Sequence, residues 1–478
     1  MKESCDPILV DLDGTLILTD SLHEMLTILI KTQPYAIFKL IKIYFSGKAK
    51  FKQYVFEQVD YDAERVPYRD ELVEYIKHEK QNGRKIYLAT AAYHGIAEKT
   101  ADFLQCFDGV LATDSDINLK GINKLKAIQK NFGREFIYAG DNKADIHIWR
   151  DAKGAIVVGN HVKKLSKEVE KLHIPVIKQM HNTAVNLSTW MKALRIHQWL
   201  KNVLLFIPIL LAFQFEDLHK LWLTMVAFIS FSLGASATYI LNDLWDLEND
   251  RSHPNKKFRP FASGALSIAQ GVKASAILLF CACLSAIYVS WSYFGAFLLY
   301  LVITTLYSFR IKKIILLDII VLSVLYTLRI IAGGIVTNIN LSYSLLAFSI
   351  LIFLSLATVK RCAELVAMPD VQENAVGRGY IKTDLDILWP IGISTYIGAI
   401  IVFGLYINAP ETIIHYQKPV FLWGVQLFLI YLIGNLWMVT RRGQMHDDPI
   451  VYFIEDKKSL IVLALIVFIT ILARFFYF

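Results

Sequence analysis

Residues 242–264 read N-D-L-W-D-L-E-N-D-R-S-H-P-N-K-K-F-R-P-F-A-S-G and lie between two apolar runs. Asp243, Asp246 and Asp250 stand at i, i+3 and i+7, so a helix continuing through the segment would carry all three carboxylates on one face. Such a face repels itself unless something cationic sits on it. Hard oxygen ligands suit Mg2+, which keeps waters and is shared between one or two carboxylates and a substrate's phosphates. Arg251, Lys256, Lys257 and Arg259 follow directly and could hold the remaining phosphate oxygens, Arg as a planar fork and Lys as a point charge. Ionisable groups beside a hydrophobic run are expensive and point to function before they point to a solvated loop. The stretch therefore reads as a Mg2+–diphosphate site, with Asp243 and Asp246 as catalytic acids, Asp250 as a further ligand and Asn242 beside them.

The motif N-D-x-x-D-x-x-x-D at the end of an apolar helix resembles the signature of the UbiA prenyltransferase superfamily. The longer string from Asp250 to Gly264 is similar to one branch, the polyprenyl-phosphate phosphoribosyltransferases, as is R-x-x-Q-W-x-K-N at residues 195–202. The resemblance implies substrate-binding roles for Lys201, Asn202, Asn242, Arg251, Lys256 and Arg259. It extends them to Tyr307, Lys312 and Asp318, to Arg329 before Ala332-Gly333-Gly334, and to Lys360, Arg361 and Glu364. Members that prenylate aromatic acceptors carry a second acid-rich motif. This chain offers Asp318 amid Arg310, Lys312 and Lys313, and Glu364 beside Lys360 and Arg361. One acidic motif with several cations suits one diphosphate plus additional monophosphates.

Composition bounds the architecture. The 478 residues have a mean hydropathy of +0.42 and are 55% hydrophobic, too long for one ordinary domain and apolar enough to place much of the chain in lipid. The first part is charged and mixed; the remainder is apolar runs broken by short polar loops. Nine spans are expected, centred near 209, 231, 281, 301, 325, 351, 396, 430 and 467. Alternate loops carry about fifteen Lys and Arg on one side and about two on the other. The positive-inside rule then puts the N-terminal part and the candidate sites in the cytoplasm, the C-terminus opposite, and the protein in a plasma or inner membrane. Cys5, Cys106, Cys281, Cys283 and Cys362 show neither a disulfide framework nor zinc spacing. The net charge of +8 fits membrane-flanking loops better than nucleic acid. A homo-oligomer is neither required nor excluded.

The N-terminal part opens with Ile8-Leu9-Val10, then D-L-D-G-T-L at residues 11–16. Two carboxylates beyond a strand's C-terminal end, with Gly14 permitting a sharp turn, fall at the crevice where open α/β sheets bind ligands. This resembles motif I of the haloacid-dehalogenase (HAD) phosphatases, which implies Asp11 as nucleophile and Asp13 as general acid/base. Thr90 matches motif II; Lys124, with Lys120 as runner-up, matches motif III; Asp141 and Asp145 match motif IV. Mg2+ would be held by Asp11, Asp13, Asp141 and Asp145. The roughly seventy residues between motifs I and II exceed a simple connection and imply a helical cap. Within it, residues 34–45 interleave apolar and basic side chains, which either pack inside the cap or rest on anionic lipid.

The fold expected is a two-domain chain. An α/β Rossmann-like HAD domain occupies residues 1–160, with its cap over about 17–80; a linker helix follows over 161–190, then an all-α polytopic membrane bundle over 191–478. The resemblance implies transfer of 5-phosphoribose from phosphoribosyl diphosphate to a polyprenyl phosphate, with Mg2+ in both domains; the co-occurrence of a monoester phosphatase tethered to the face that would hold the ribosylated lipid leads to the expectation that the HAD domain removes the 5-phosphate. The alternatives are prenyl transfer to an aromatic quinone or haem precursor, and a lipid-binding scaffold with a regulatory head.

Overall fold

Ile8–Val10 (β1) is a fully buried apolar strand, and in the computed structural model it lies at the centre of a six-stranded sheet. The other strands are β2 (Ile86–Tyr93), β3 (Gly109–Thr113), β4 (Ile137–Gly140), β5 (Gly154–Gly159) and β6 (Val176–His181). Their order is β3-β2-β1-β4-β5-β6 and every pairing is parallel, with Val10 in register with Leu88 on one side and Ala139 on the other. The chain runs outward from β1 to β3, then crosses to β4 on β1's opposite flank. The strand order thus reverses between β1 and β4, and ligand crevices in open parallel sheets form at the carboxyl ends of such strands. Asp11 follows β1 and Asp141 follows β4.

The structure describes residues 6–114, 117–182, 185–368, 378–445 and 449–475. The insertion after β1 folds as the helices α1 (Ser21–Thr32), α2 (Ala36–Tyr44), α3 (Lys48–Gln58) and α4 (Asp70–Gln81), as a cap requires. The linker helix expected over 161–190 gives way to a shorter helix and a strand: Val162–Glu170 is helical, and β6 pairs with β5, so the sheet continues to His181. Only Met180 of β6 is buried, because the strand lies at the sheet's edge, and V-I-K-Q-M-H has no clear period-2 apolar pattern to mark it as a strand when read locally.

Among the described residues, eight helices are long and apolar enough to cross a membrane: Leu218–Trp245, Ile268–Val289, Trp291–Phe309, Leu317–Thr337, Tyr343–Val366, Lys382–Ile407, Pro419–Arg441 and Lys457–Phe475. The segment expected as the first span is a bent pair, Leu187–Leu194 and Ile196–Leu211, meeting at 52°, so the count is eight or nine. Much of that second piece, Ile196–Phe206, winds as a 3-10 helix. Its basic and amide residues leave no uninterrupted apolar face over those turns.

Contact clustering divides the chain into two compact units. One comprises Met1–Arg195 with Tyr239–Ala276, so the α/β domain and the acidic segment belong to the same unit; the other comprises Ile196–Thr238 with Ile277–Phe478. The first is built on the two faces of the sheet, one under the cap around Val10, Leu12 and Leu88, the other around Leu9, Tyr138 and Trp149. The second is an all-α bundle with cores around Phe231, Tyr293 and Phe297 and around Ile352, Leu436 and Trp437.

Candidate active sites

The turn after β1 is held closed by backbone hydrogen bonds. Asp11 N–H donates to Ala139 O at 3.1 Å, and the Leu16 and Ile17 N–H groups both donate to Leu12 O at 3.0 Å. Gly14 has φ +75°, and a Cβ there would lie 2.5 Å from Asp141 Oδ2, so only glycine lets the turn approach β4. Carboxylate oxygens of Asp11, Asp141 and Asp145 lie within 4.8 Å of one another, the one such acid trio among the described residues. Lys124 Nζ is 2.9 Å from Asp11 Oδ2 and donates to the Tyr138 hydroxyl at 3.0 Å, which in turn donates to Asp145 at 3.2 Å. That geometry selects Lys124; Lys120 is exposed.

Burial, then repulsion from Asp145 and Asp11, pushes the Asp141 carboxyl up to about 7; burial and Asp11 push Asp145 up to about 6. Burial alone would lower Lys124, but Asp11 and Asp145 more than reverse it. One ammonium therefore leaves negative charge uncompensated among three carboxylates, and an all-oxygen donor set of this kind fits Mg2+. The carboxylate of Asp13 is outside the trio. Its Oδ1 accepts the Ser21 N–H at 2.7 Å, and burial, then Asp20, raises it to about 7, which suits a proton donor near neutral pH. Thr90 is fully buried and its hydroxyl oxygen accepts the Ala92 N–H at 3.0 Å.

Two cap residues escape a reading by motif. Arg69, 5% exposed, donates to Thr15 O at 2.8 Å, to Gly14 O at 2.9 Å and to Asn182, tying the motif I turn to the end of β6. Lys52 reaches Ala91 O at 2.5 Å, and burial lowers its pKa. Neither belongs to a local signature; only the cap's fold brings them in. A cavity of about 900 Å3 opens over the acids, walled by cap residues such as Tyr44 and Phe51 and by Gly264, Gln270 and Lys273 from beyond the acidic segment.

The acidic segment is not one continuous helix. The helix Leu218–Trp245 stops, Asp246 takes the N-cap position, and Leu247–Arg251 forms a second short helix. Backbone bonds nevertheless bridge the break, Asp246 N–H to Asn242 O at 2.9 Å and Asp250 N–H to Asp246 O at 2.8 Å. Asp243 and Asp250, 2% and 3% exposed, consequently share one cation: Arg259 Nη1 lies 3.3 Å from the first and 2.7 Å from the second. Arg195 also pairs with Asp243 and stacks on Tyr239 at 4.9 Å. The positive charge that the acid face requires thus comes from two arginines. Arg195, the first residue of R-x-x-Q-W-x-K-N, is an addition to the residues singled out by sequence.

Arg251 differs from its expected phosphate role. Its guanidinium makes a bidentate pair with Glu24 of α1, at 2.7 and 3.0 Å, and also donates to Ala262 O at 3.1 Å. Glu24 accepts the Thr19 hydroxyl at 2.7 Å, and Thr19 O accepts the Gly14 N–H of the motif I turn at 3.1 Å.

In the helical unit, Asp318 is fully buried against Arg361, Nε to Oδ2 2.8 Å, and accepts the Tyr380 hydroxyl at 2.6 Å. Arg361 also pairs with Glu364. Arg378 lies 3.7 Å from both Glu364 and Asp318 and donates to the Tyr307 hydroxyl at 3.0 Å. Arg361 Nη2 is buried without a hydrogen-bond partner among the described residues. Arg329 occupies a separate network, donating to Asn202 at 2.9 Å, Leu325 O at 2.6 Å and the Tyr300 hydroxyl at 3.1 Å; Asn202 donates to Ser232 at 3.0 Å. Lys201 stands over the Tyr326 ring at 5.7 Å. An apolar cavity of about 290 Å3 lies in the same unit, lined by Ile330, Phe348, Phe353 and Phe403.

The profile of the UbiA prenyltransferase family matches residues 203–456, more than half of the chain. The chain belongs to the UbiA prenyltransferase family. Its N-terminal part matches the haloacid dehalogenase-like hydrolase profile over residues 8–150. The uncharacterized protein y4nM of Sinorhizobium fredii is 36% identical over 96% of this chain and 89% of its own length, so the fusion recurs as a unit. Nodulation protein NoeC of Azorhizobium caulinodans is 36% identical over 57% of this chain and 89% of its own. Decaprenyl-phosphate phosphoribosyltransferase of Mycobacterium tuberculosis is 35% identical over 36% of this chain and 59% of its own. A solved UbiA homolog from Archaeoglobus fulgidus bound to DMAPP and Mg2+ aligns with TM-score 0.47 at 14% identity, covering 60% of this chain and all of that one. The protein is thus a UbiA-family membrane enzyme with a HAD-like domain in the same chain.

Proposed function

We propose that this UbiA-family protein transfers 5-phosphoribose from phosphoribosyl diphosphate to a polyprenyl phosphate, and that its HAD domain then removes the 5-phosphate to leave polyprenyl-phosphoryl ribose. The carrying observation is the contrast between its charged clusters. Asp243, Asp246 and Asp250 outnumber Arg195 and Arg259, which pair with Asp243 and Asp250, whereas Asp318 and Glu364 are matched by Arg361 and Arg378, and Arg361 Nη2 is buried without a hydrogen-bond partner among the described residues. An excess of acids favours a metal–diphosphate; a charge-balanced cluster with an unmet donor favours a further phosphate oxygen. The partial match to decaprenyl-phosphate phosphoribosyltransferases supports the same substrates, and the apolar cavity suits a prenyl tail.

In the transfer, the C1–O bond to the diphosphate breaks as an oxygen of the lipid phosphate bonds to C1. Diphosphate leaves with the bonding pair, and no protein base is required, because a phosphate oxygen is already a nucleophile. Asp243, Asp246 and Asp250 would hold Mg2+ in exchange for part of their arginine contacts; bound there, it offsets charge on the leaving diphosphate. Arg259 and Lys256 are assigned to phosphate oxygens, as are Lys201, Lys312, Lys360 and Arg361. Asp318 and Glu364 orient the arginines, and Asn202 with Arg329 braces the helices.

In the HAD domain, Asp11 attacks phosphorus while Asp13 protonates the departing sugar oxygen. Asp13 then takes a proton from the water that hydrolyses the aspartyl phosphate. Lys124 neutralises Asp11 and the phosphoryl oxygens, and Asp11, Asp141 and Asp145 would hold Mg2+. The test incubates wild type and Asp11→Asn with labelled phosphoribosyl diphosphate and a polyprenyl phosphate, then weighs the lipid product. Wild type should accumulate the dephosphorylated lipid and the variant the 5-phosphorylated one. Identical phosphorylated products from both would end the coupling, and activity only with a prenyl diphosphate and an aromatic acceptor would end the phosphoribosyl reading.

A further inference from the structure

The cap helix α2 leaves a face uncovered. At 100° per residue, Ala36, Leu40 and Ile43 point to one side, and Leu40 is 8% exposed there. Ile37, Phe38, Ile41, Tyr44 and Phe45 fall within an arc of roughly 120° on the other side and are all exposed, Phe38 at 77% and Phe45 at 84%. Lys42 borders that arc, and Lys39 lies further round, over the Tyr54 ring of α3 at 4.8 Å; both are exposed. Packing within the cap therefore uses the Leu40 side and, at the last turn, the edge of Tyr44 against Phe51 of α3 at 5.6 Å; Ile37, Phe38, Ile41 and Phe45 do not fill the cap's interior. A contiguous aromatic and aliphatic patch of this kind is an interaction surface.

Its occupant follows from where the unit must be. The same compact unit contains residues 239–245 and 268–276, the ends of two membrane-spanning helices, so the unit is fixed at a bilayer surface by its own chain. Aromatic and branched aliphatic residues flanked by lysines are the composition of a helix lying in the headgroup region of an anionic membrane. We infer that α2 is an interfacial anchor that rests the cap of the HAD domain on anionic lipid. Tyr44, at the last turn of the exposed face, also lines the cavity over Asp11, as does Phe51 of the next helix. An anchored α2 therefore sets the mouth of that cavity at lipid level, where a lipid-linked phosphomonoester presents its phosphate. This last step rests on the substrate proposed above; the anchoring itself does not.

The experiment uses the full chain in nanodiscs containing anionic lipid, with the five cysteines replaced and a nitroxide at Phe38→Cys, Ile41→Cys or, as a control on α3, the exposed Glu57→Cys. Collisions with oxygen, which partitions into lipid, should exceed collisions with a water-soluble nickel chelate at 38 and 41, and the order should reverse at 57. Equal access of the nickel chelate to all three sites overturns the anchor. Protection from both reagents, with dipolar broadening between labels on two copies, overturns it in favour of self-association. The spin-label result stands whatever the enzyme's substrate is. As a second measurement, Phe38→Glu combined with Ile41→Glu should lower hydrolysis of a bilayer-embedded lipid phosphomonoester at least tenfold and leave hydrolysis of soluble p-nitrophenyl phosphate unchanged. An equal effect on the two substrates counts against the delivery role.

Discussion

Glu24→Gln and Arg251→Met, alone and combined, probe the link between α1 and the acidic segment. The two side chains are 6% and 10% exposed and joined by two charge-assisted hydrogen bonds. Removing one partner of a buried pair typically costs about 3–5 kcal/mol, because the other charge stays desolvated. In Arg251→Met, Glu24 keeps only the Thr19 hydroxyl, so we expect about 3 kcal/mol. Glu24→Gln keeps one neutral acceptor for Arg251 and should cost about 2 kcal/mol. The readout is hydrogen exchange of the 247–263 backbone in the detergent-solubilised protein, where opening costs convert to rates at about 1.4 kcal/mol per decade. The segment should exchange about 30-fold faster in Glu24→Gln and about 150-fold faster in Arg251→Met, while the amides of β4 and β5 stay protected. The double variant should fall short of the sum, since both substitutions remove the same pair. Unchanged exchange in the single variants, or strict additivity in the double, would refute the clamp.

Lys124→Met should reduce p-nitrophenyl phosphate hydrolysis by about 100-fold or more, the usual scale for losing one preorganised donor. Lys120→Met should leave it within about threefold, and the reverse ranking would reassign the motif III role. Asp141 is held up to about 7 in the folded chain against an ordinary 3.8, so the folded state binds a proton that the unfolded chain has released. Its penalty on stability grows as pH rises from about 4 and is complete above about 7. The melting temperature in EDTA should therefore decline through that window and be restored by Mg2+ most strongly at its upper end; a flat profile indifferent to Mg2+ would falsify the metal trio. In the bundle, Arg361→Ala should destabilise the solubilised protein by about 3–5 kcal/mol by stranding Asp318, and Asp318→Leu with Arg361→Met should recover most of it. Failure of the double substitution to recover the fold would show that Asp318 answers to other partners.

The α/β domain was legible because its signals are local. A buried tripeptide followed by D-x-D-G, and a strand followed by G-D-x-x-x-D, specify both the strand and what stands at its end. Two parallel strands flanking a reversal of strand order then bring those ends together without further information. What escaped was whatever depends on a partner distant in sequence. Lys120 and Lys124 are indistinguishable until one meets Asp11. β6 looked like linker because an edge strand needs only Met180 buried. The lipid alternative for α2 was visible as composition, and only the packing of Leu40 showed which side stays open.

Arg251 is the most instructive difference, because its neighbour Asp250 faces another way. Asp250 and Arg251 are consecutive on a five-residue helix, so their side chains diverge by about 100°. One turns to Arg259 and the acid face; the other turns to Glu24, which through Thr19 reaches the Gly14 turn that positions Asp11. A sequence motif records that both charges are present but not that they face different sites. In the fold, one side of this five-residue helix meets Arg259 through Asp250 and the other is tied through Arg251 to α1. The acidic segment and the turn that carries Asp11 are therefore linked by contacts through one short helix.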